Sequence, residues 1–211
     1  MTDNLDAKVS PAAAEMPHPL VLRAANVPCW TDDEFFTFCQ QNRLWRIERD
    51  AAGELEIREP NGWESGAMCM ESRRQTANWA IADGSGRVAG ASTGFTLPNN
   101  ATRAPDAAWV SRSHLDLIPR EQRRTFLPLC PDFALEVTSP SDSLAATKAK
   151  MVEYVENGLR LGVLLHPPTR EVWVYRPGAD PAYFADPATV ACDPDMPGFA
   201  LDIQKIFDAD A

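Results

Sequence analysis

The sequence predicts an α/β domain built on a mixed central β-sheet flanked by helices. Short apolar runs bounded by proline, at 107–110 and 133–138, have the length of buried strands. Longer stretches at 65–82 and 140–157, each closed by a glycine, have the length and punctuation of helices. Along the chain these elements fall in the order helix, strand, strand, strand, helix, strand, strand. The step from 133 to 166 is strand–helix–strand, which calls for a right-handed crossover between parallel strands.

The elements follow in order. Residues 1–28 are rich in Ala, Pro and Asp without periodicity and are expected to form a flexible arm. Residues 29–211 are expected to form a single domain, without internal repeats. Thr31 is placed to cap a short helix over 31–42, with Asp32, Asp33 and Glu34 in its first turn. Segments 44–49 and 54–58 alternate like strands around the turn Asp50-Ala51-Ala52-Gly53, a hairpin. The helix over 65–82 would turn Met68, Ser72, Gln75, Trp79 and Ala82 to one broad face and end at Asp83-Gly84. Two short strands follow at 87–91 and 93–97, and then a turn at 98–100. The strand at 107–110 runs into a charged segment, 111–126, expected to be partly helical. The segment 133–138 reads as a strand, 140–157 as a helix stopped by Gly158, and 161–166 with 171–175 as a hairpin. The tail beyond Arg176 is Pro- and Asp-rich and ends in a short helix near 202–208.

Composition bounds the function. The 211 residues are 45% hydrophobic and 24% charged, ordinary for a globular protein, and suffice for one well-filled domain. No run of about 18 apolar residues exists, so no membrane span is expected. The N-terminal segment lacks the basic start and apolar core of a secretory signal. The five cysteines are scattered and never form a CxxC pair, which suits reduced thiols in the cytoplasm better than a disulfide framework or a zinc site. A net charge of −10 argues against a general nucleic-acid coat protein. It leaves room for an enzyme whose local basic face or bound metal offsets the global charge.

The chemistry centres on two acids, Asp106 in APDAAWV and Glu136 in PDFALEVTSPSD. Each lies in a short apolar run, where a carboxylate is costly unless it is paired or holds a cation. With Lys150 on the following helix they make a divalent-metal site for phosphodiester cleavage conceivable. Each residue also has a plain structural role open to it. Asp106 could start a turn after Pro105. Glu136 alternates with Ala134 and Thr138, so it faces either solvent or a site. Lys150 could be a solvated charge on an amphipathic helix.

Three stretches carry a resemblance: STGFTLPNNATRAPDAAWVSR, FLPLCPDFALEVTSPSDSLAATKAKMVEYVENGLRLGVLL and VWVYRPG. Over roughly 45–178 the chain resembles the bacterial "putative restriction endonuclease" family of the PD-(D/E)XK nuclease superfamily. The resemblance implies a restriction-endonuclease-like fold and a metal-dependent endonuclease that hydrolyses DNA phosphodiester bonds. It implies Mg2+ or Mn2+ held by Asp106 and Glu136. It implies Lys150 as the catalytic lysine, with Tyr154 one turn on and Lys148 as the fallback. It implies Glu71 as the acid of the first helix. Thr138 stands where most of the superfamily has Lys, and the family's usual answer is a lysine on the following helix, the place of Lys150. The chain departs from the family pattern at His166, where Asp is common, at Cys69, where a polar residue is common, and at Val163, where an aromatic is frequent.

Around this core, Asp132 reads as a strand-start residue, and Thr138 could bond a metal-held water. His166 reads as a strand end, and the Ser141-Asp142-Ser143 segment as a helix N-cap region. Trp63 and Trp79 read as core residues, with base stacking as their alternative role. Arg73-Arg74 and the run 120–124 are the candidate phosphate-contacting positions; clustering beside the acids would favour nucleic acid, and scattering a protein partner. DNA is the expected partner, with a homodimer a further possibility for cutting both strands. Two other functions fit the same residues. One is a catalytically weak or inactive nuclease-fold protein acting as a nucleic-acid or protein interaction module; the other is a hydrolase of a small phosphate-containing molecule.

Overall fold

The computed structural model describes residues 20–23, 29–140 and 142–210. In chain order these residues form β1 (Leu20–Leu22), α1 (Asp32–Gln41), β2 (Arg46–Arg49), β3 (Leu55–Arg58), α2 (Trp63–Asp83) and β4 (Gly86–Ala89). Next come β5 (Phe95–Thr96), β6 (Thr102–Arg103), β7 (Ala107–Ser111), α3 (Arg112–Leu115), β8 (Phe133–Val137) and α4 (Leu144–Glu156). The chain closes with β9 (Leu161–His166), β10 (Glu171–Tyr175), β11 (Ala182–Ala185), β12 (Thr189–Ala191), β13 (Ala200–Asp202) and α5 (Ile203–Phe207).

The central sheet is mixed and six-stranded, in the order β11-β10-β9-β8-β7-β4. Only β8 and β9 run parallel, joined through α4; the other neighbours are antiparallel. Side chains alternate across this sheet. Trp109, Phe133, Leu135, Val163 and Leu165 pack toward α2 and α5. Ala108, Val110, Ala134 and Leu164 pack toward Met151 and Tyr154 of α4. Gly162 sets how closely α4 can lie, because a Cβ there would sit 2.5 Å from Met151 Cε. A second sheet, β1-β3-β2-β6-β5, carries the β2–β3 hairpin beside the β6–β7 connection.

Local chemistry explains the ends of these elements. In α1, Thr31 and Glu34 form a reciprocal capping box. The β2–β3 turn closes through Gly53 at φ 85°. Gly84, at φ 73°, ends α2 in the left-handed conformation.

Four expectations are corrected. Residues 20–22, assigned to the arm, form β1 and pair with β3; most of the rest of the expected arm lies outside the described residues. The buried residues of α2 are Met68, Ser72, Thr76 and Ala80, four apart, with Cys69 beside Met68, and Ala82 is exposed. Helix α4 starts at Leu144 rather than near 140, because Asp142 accepts from Ser139 N–H at 2.7 Å and closes a turn ahead of the Ser143 cap. The tail holds three strands: β11 is exposed along its length, and β12 and β13 bury one residue each, Val190 and Leu201. So little burial leaves no period-two signal in the sequence.

Candidate active site

The site forms at the carboxyl end of β8, where the central sheet, α4 and the second sheet meet. Strands β7 and β8 pair with Ala107 opposite Leu135. Carrying that register one residue further sets Asp106 across from Glu136. There the Asp106 side chain takes over the ladder, its Oδ2 accepting from Val137 N–H at 2.9 Å. Glu136 is buried on the α4 side of the sheet rather than facing solvent. From α4, Lys150 Nζ lies 2.8 Å from Glu136 Oε1, and Tyr154 Oη donates to the same oxygen at 3.1 Å. The i, i+4 spacing puts both α4 residues on one face.

Strand β2 adds two residues that the sequence reasoning missed, Arg46 and Glu48. Arg46 Nη1 donates to Asp106 Oδ1 at 2.8 Å. Its Nη2 donates to the Ala104 carbonyl and, at 3.4 Å, to Glu48 Oε1, and lies 3.8 Å from Glu136 Oε2. Glu48 Oε1 also accepts from Lys150 Nζ at 2.9 Å and from Ala104 N–H at 3.2 Å. Its Oε2 accepts no hydrogen bond, and Arg103 Nη1 stands 3.5 Å away. The available signal was the same-face pair of opposite charges in Arg46-Ile47-Glu48, but solvent-facing hairpins commonly show the same pattern.

Burial raises the cost of every charge here. At Glu48 burial opposes ionisation, yet Lys150, Arg46 and Arg103 outweigh it and hold the carboxyl well below its usual range. Glu136 behaves in the opposite way. Burial, joined by repulsion from Asp106 and Glu48, outweighs Lys150 and Arg46 and holds its carboxyl above the usual range. Burial beside Glu136 keeps the Tyr154 phenol protonated, so it remains a donor.

Asp106, Glu136 and Lys150 line one cleft of about 560 Å³, together with Arg46, Arg58 and Glu64. Glu71 does not line it. It binds Arg74 at 2.5 Å and Gln75 at 2.9 Å, and Gln75 in turn reaches the Asp202 carbonyl near α5. Glu64 and Glu71 are seven residues apart, so they share a helix face but lie about 10 Å apart along the axis. The acid that α2 brings to the cleft is Glu64.

The remaining candidates also have definite places. Thr138 is buried, and its Oγ1 lies 2.7 Å from His166 Nδ1, so it turns to the strand end and not to the cleft. Asp132 sits at the opposite end of β8, accepting from Ser111 N–H at 2.7 Å with His114 Nδ1 at 3.0 Å. Lys148 packs over the Trp173 ring at 3.7 Å. Ser143 is the N-cap of α4, and Ser141 lies outside the described residues. Trp79 packs against Trp109 and Phe199, whereas Trp63 is 84% exposed at the cleft rim, which overturns its core assignment. Neither Arg73-Arg74 nor the 120–124 run lines the cleft. The basic residues that do are Arg46 and Lys150, each tied to site carboxylates, and Arg58, tied to Glu56 and Asp142.

Residues 32–204 match the family model Uma2, described as "Putative restriction endonuclease". The chain belongs to the Uma2 family. A similar solved structure is "a putative nuclease belonging to DUF820" from Anabaena variabilis, with a TM-score of 0.65 and 21% identity, covering 77% of this chain and 90% of that one. At that identity the likeness speaks for the fold. No curated protein matched. The Uma2 chain thus has a mixed α/β restriction-endonuclease-like fold, and among its described residues no helix is long and apolar enough to cross a membrane.

The chemistry of the Uma2 site suits a divalent cation. Asp106 and Glu136 offer hard carboxylate oxygens, and the buried Glu48 Oε2 has no hydrogen-bond donor. Among the described residues no group of three or more His, Cys, Asp or Glu is arranged for a metal. The Arg46 guanidinium lies among Asp106, Glu136 and Glu48, with Nη1 toward Asp106 and Nη2 toward the two glutamates.

Proposed function

We propose that this chain is a metal-dependent endonuclease that hydrolyses DNA phosphodiester bonds, with residues 29–211 as one catalytic domain. The observation that carries the reading is the meeting of Asp106, Glu136 and Lys150 in one open cleft of a Uma2 chain. Asp106 and Glu136 would hold Mg2+ or Mn2+. A cation bound there supplies Lewis-acid polarisation of the phosphate and a more acidic water.

The chain's own groups do the rest. Val137 N–H fixes the Asp106 carboxylate, and Tyr154 fixes Glu136. Lys150, held between Glu48 and Glu136, offers its ammonium to the negative charge that grows on the phosphate as water adds and the P–O bond breaks. The water's proton leaves to solvent, and the departing oxygen takes a proton from solvent and ends as a hydroxyl. No covalent enzyme intermediate is required. On this reading the protein works in the cytoplasm on DNA, and a homodimer would let two sites cut both strands.

The test is cleavage of supercoiled plasmid and single-stranded DNA with Mg2+ or Mn2+, with EDTA and the Asp106→Ala/Glu136→Ala double variant as controls. Cleavage that needs metal and is lost in the double variant supports the reading. Absence of cleavage by the folded protein across metals and substrates sinks it. That outcome would favour an interaction module, a second reading supported by the scattered basic runs and by the ion pairs that already engage the site carboxylates.

A further inference from the structure

The Arg46 guanidinium lies where Asp106, Glu136 and Glu48 point, at 2.8 Å, 3.8 Å and 3.4 Å from their oxygens. Those carboxylates come from three separate strand regions, and a shared cation is what lets them converge. Asp106 and Glu136 both hold Arg46 within 4 Å, so a divalent cation bound between them would meet the guanidinium at contact distance. Two cations that close repel strongly in a largely buried site, so a cation that binds there must exchange with Arg46.

The geometry allows that exchange. Arg46 is the accessible member of the cluster, with its side chain 22% exposed against 1%, 4% and 6% for Glu48, Asp106 and Glu136. It is held by its terminal nitrogens, while its Nε has no partner. The side chain lines the open cleft, so it can swing outward without unpacking the core.

We propose that Arg46 is the resident counter-ion of this carboxylate site, occupying the divalent-cation position, and that a cation binds by displacing it. Arg46 therefore sets the metal affinity. The proposal rests on the metal-dependent reading above.

The test measures Mn2+ binding by calorimetry for the wild type, Arg46→Gln and Arg46→Lys, and follows phenylglyoxal labelling of Arg46 in the wild type by peptide mass spectrometry. Arg46→Gln is expected to bind Mn2+ at least about tenfold more tightly. Arg46→Lys should show a smaller gain, because an ammonium cannot bridge the carboxylates as a planar guanidinium does. In the wild type, labelling of Arg46 should speed up over the Mn2+ range that saturates binding. The labelling arm stands even if Arg46→Gln fails to fold. Unchanged or weaker Mn2+ binding in folded variants, or labelling of Arg46 that Mn2+ leaves constant or slows, overturns the proposal while leaving the metal-dependent reading intact. Absence of Mn2+ binding in both the wild type and folded Arg46→Gln overturns the two together.

Discussion

Lys150 donates to Glu48 at 2.9 Å, a buried pair that joins α4 to β2 across 102 positions of sequence. It ties the second sheet to the helix that carries the candidate catalytic lysine. Glu48→Ala is expected to cost about 1–3 kcal/mol, because Lys150 and Arg103 each lose one buried partner while keeping Glu136 and Glu153. Urea unfolding of Glu48→Ala, Lys150→Met and the double variant would give the coupling. The double variant should be less destabilised than the sum of the two single ones. Strict additivity would mean that the pair does not couple.

The two neighbouring glutamates should respond to pH in opposite ways. The folded-state pKa of Glu48 lies below its ordinary 4.5, so the folded protein holds that proton less tightly than the unfolded chain. Its contribution is present above pH 4.5 and is lost as pH falls through the folded value. The deficit of Glu48→Gln should therefore be largest near neutral pH and shrink below pH 4.5. Glu136 is held above 4.5, so ionising it costs stability as pH rises from 4.5 through the raised value. Glu136→Gln should be more stable than the wild type at neutral pH and lose that advantage in acid. Chemical denaturation from pH 3 to pH 8 checks both signs. Such a gain at the expense of function is the trade-off expected of a site built for chemistry.

The acid of α2 gives a sharper test of the site. Glu71 is engaged with Arg74 and Gln75, away from the cleft, whereas Glu64 lines it. Under the nuclease reading, Glu71→Gln retains wild-type cleavage and Glu64→Gln lowers it. Plasmid nicking rates under one set of metal and salt conditions decide between them. A loss with Glu71→Gln alone would restore the position expected from the sequence.

The contrast between Glu64 and Glu71 shows where the sequence was legible. Hairpin β2–β3, the αL end of α2, strand β8 and the β9–β10 hairpin follow from turn residues and short apolar runs, because those signals are local. Asp106, Glu136 and Lys150 were found through an ordered motif, and the register of β7 on β8 brings the two acids together. Arg46 and Glu48 were not, because their burial comes from a second sheet laid against α4, and no local pattern encodes that packing. The choice between Glu64 and Glu71 depended on how far along its axis α2 meets the cleft, which periodicity leaves free.

The two tryptophans of α2 differ in the same way and give the last prediction. Trp79 stacks on Phe199, meets Trp109 edge-on and donates its indole N–H to the Pro197 carbonyl at 3.0 Å. Trp79→Ala should cost about 2 kcal/mol, less than for an aromatic cut from a sealed core, because the ring is only partly buried. Trp63 stands 84% exposed at the N-terminal end of the same helix, on the cleft rim. Trp63→Ala should leave stability within about 0.5 kcal/mol of the wild type. If the cleft takes DNA, the same substitution should weaken single-stranded binding by about 1–3 kcal/mol, the value of one base–aromatic stack. Denaturation and fluorescence-anisotropy titrations on the two variants separate these roles. A Trp63→Ala protein that binds oligonucleotide as tightly as the wild type would remove the rim from the substrate path.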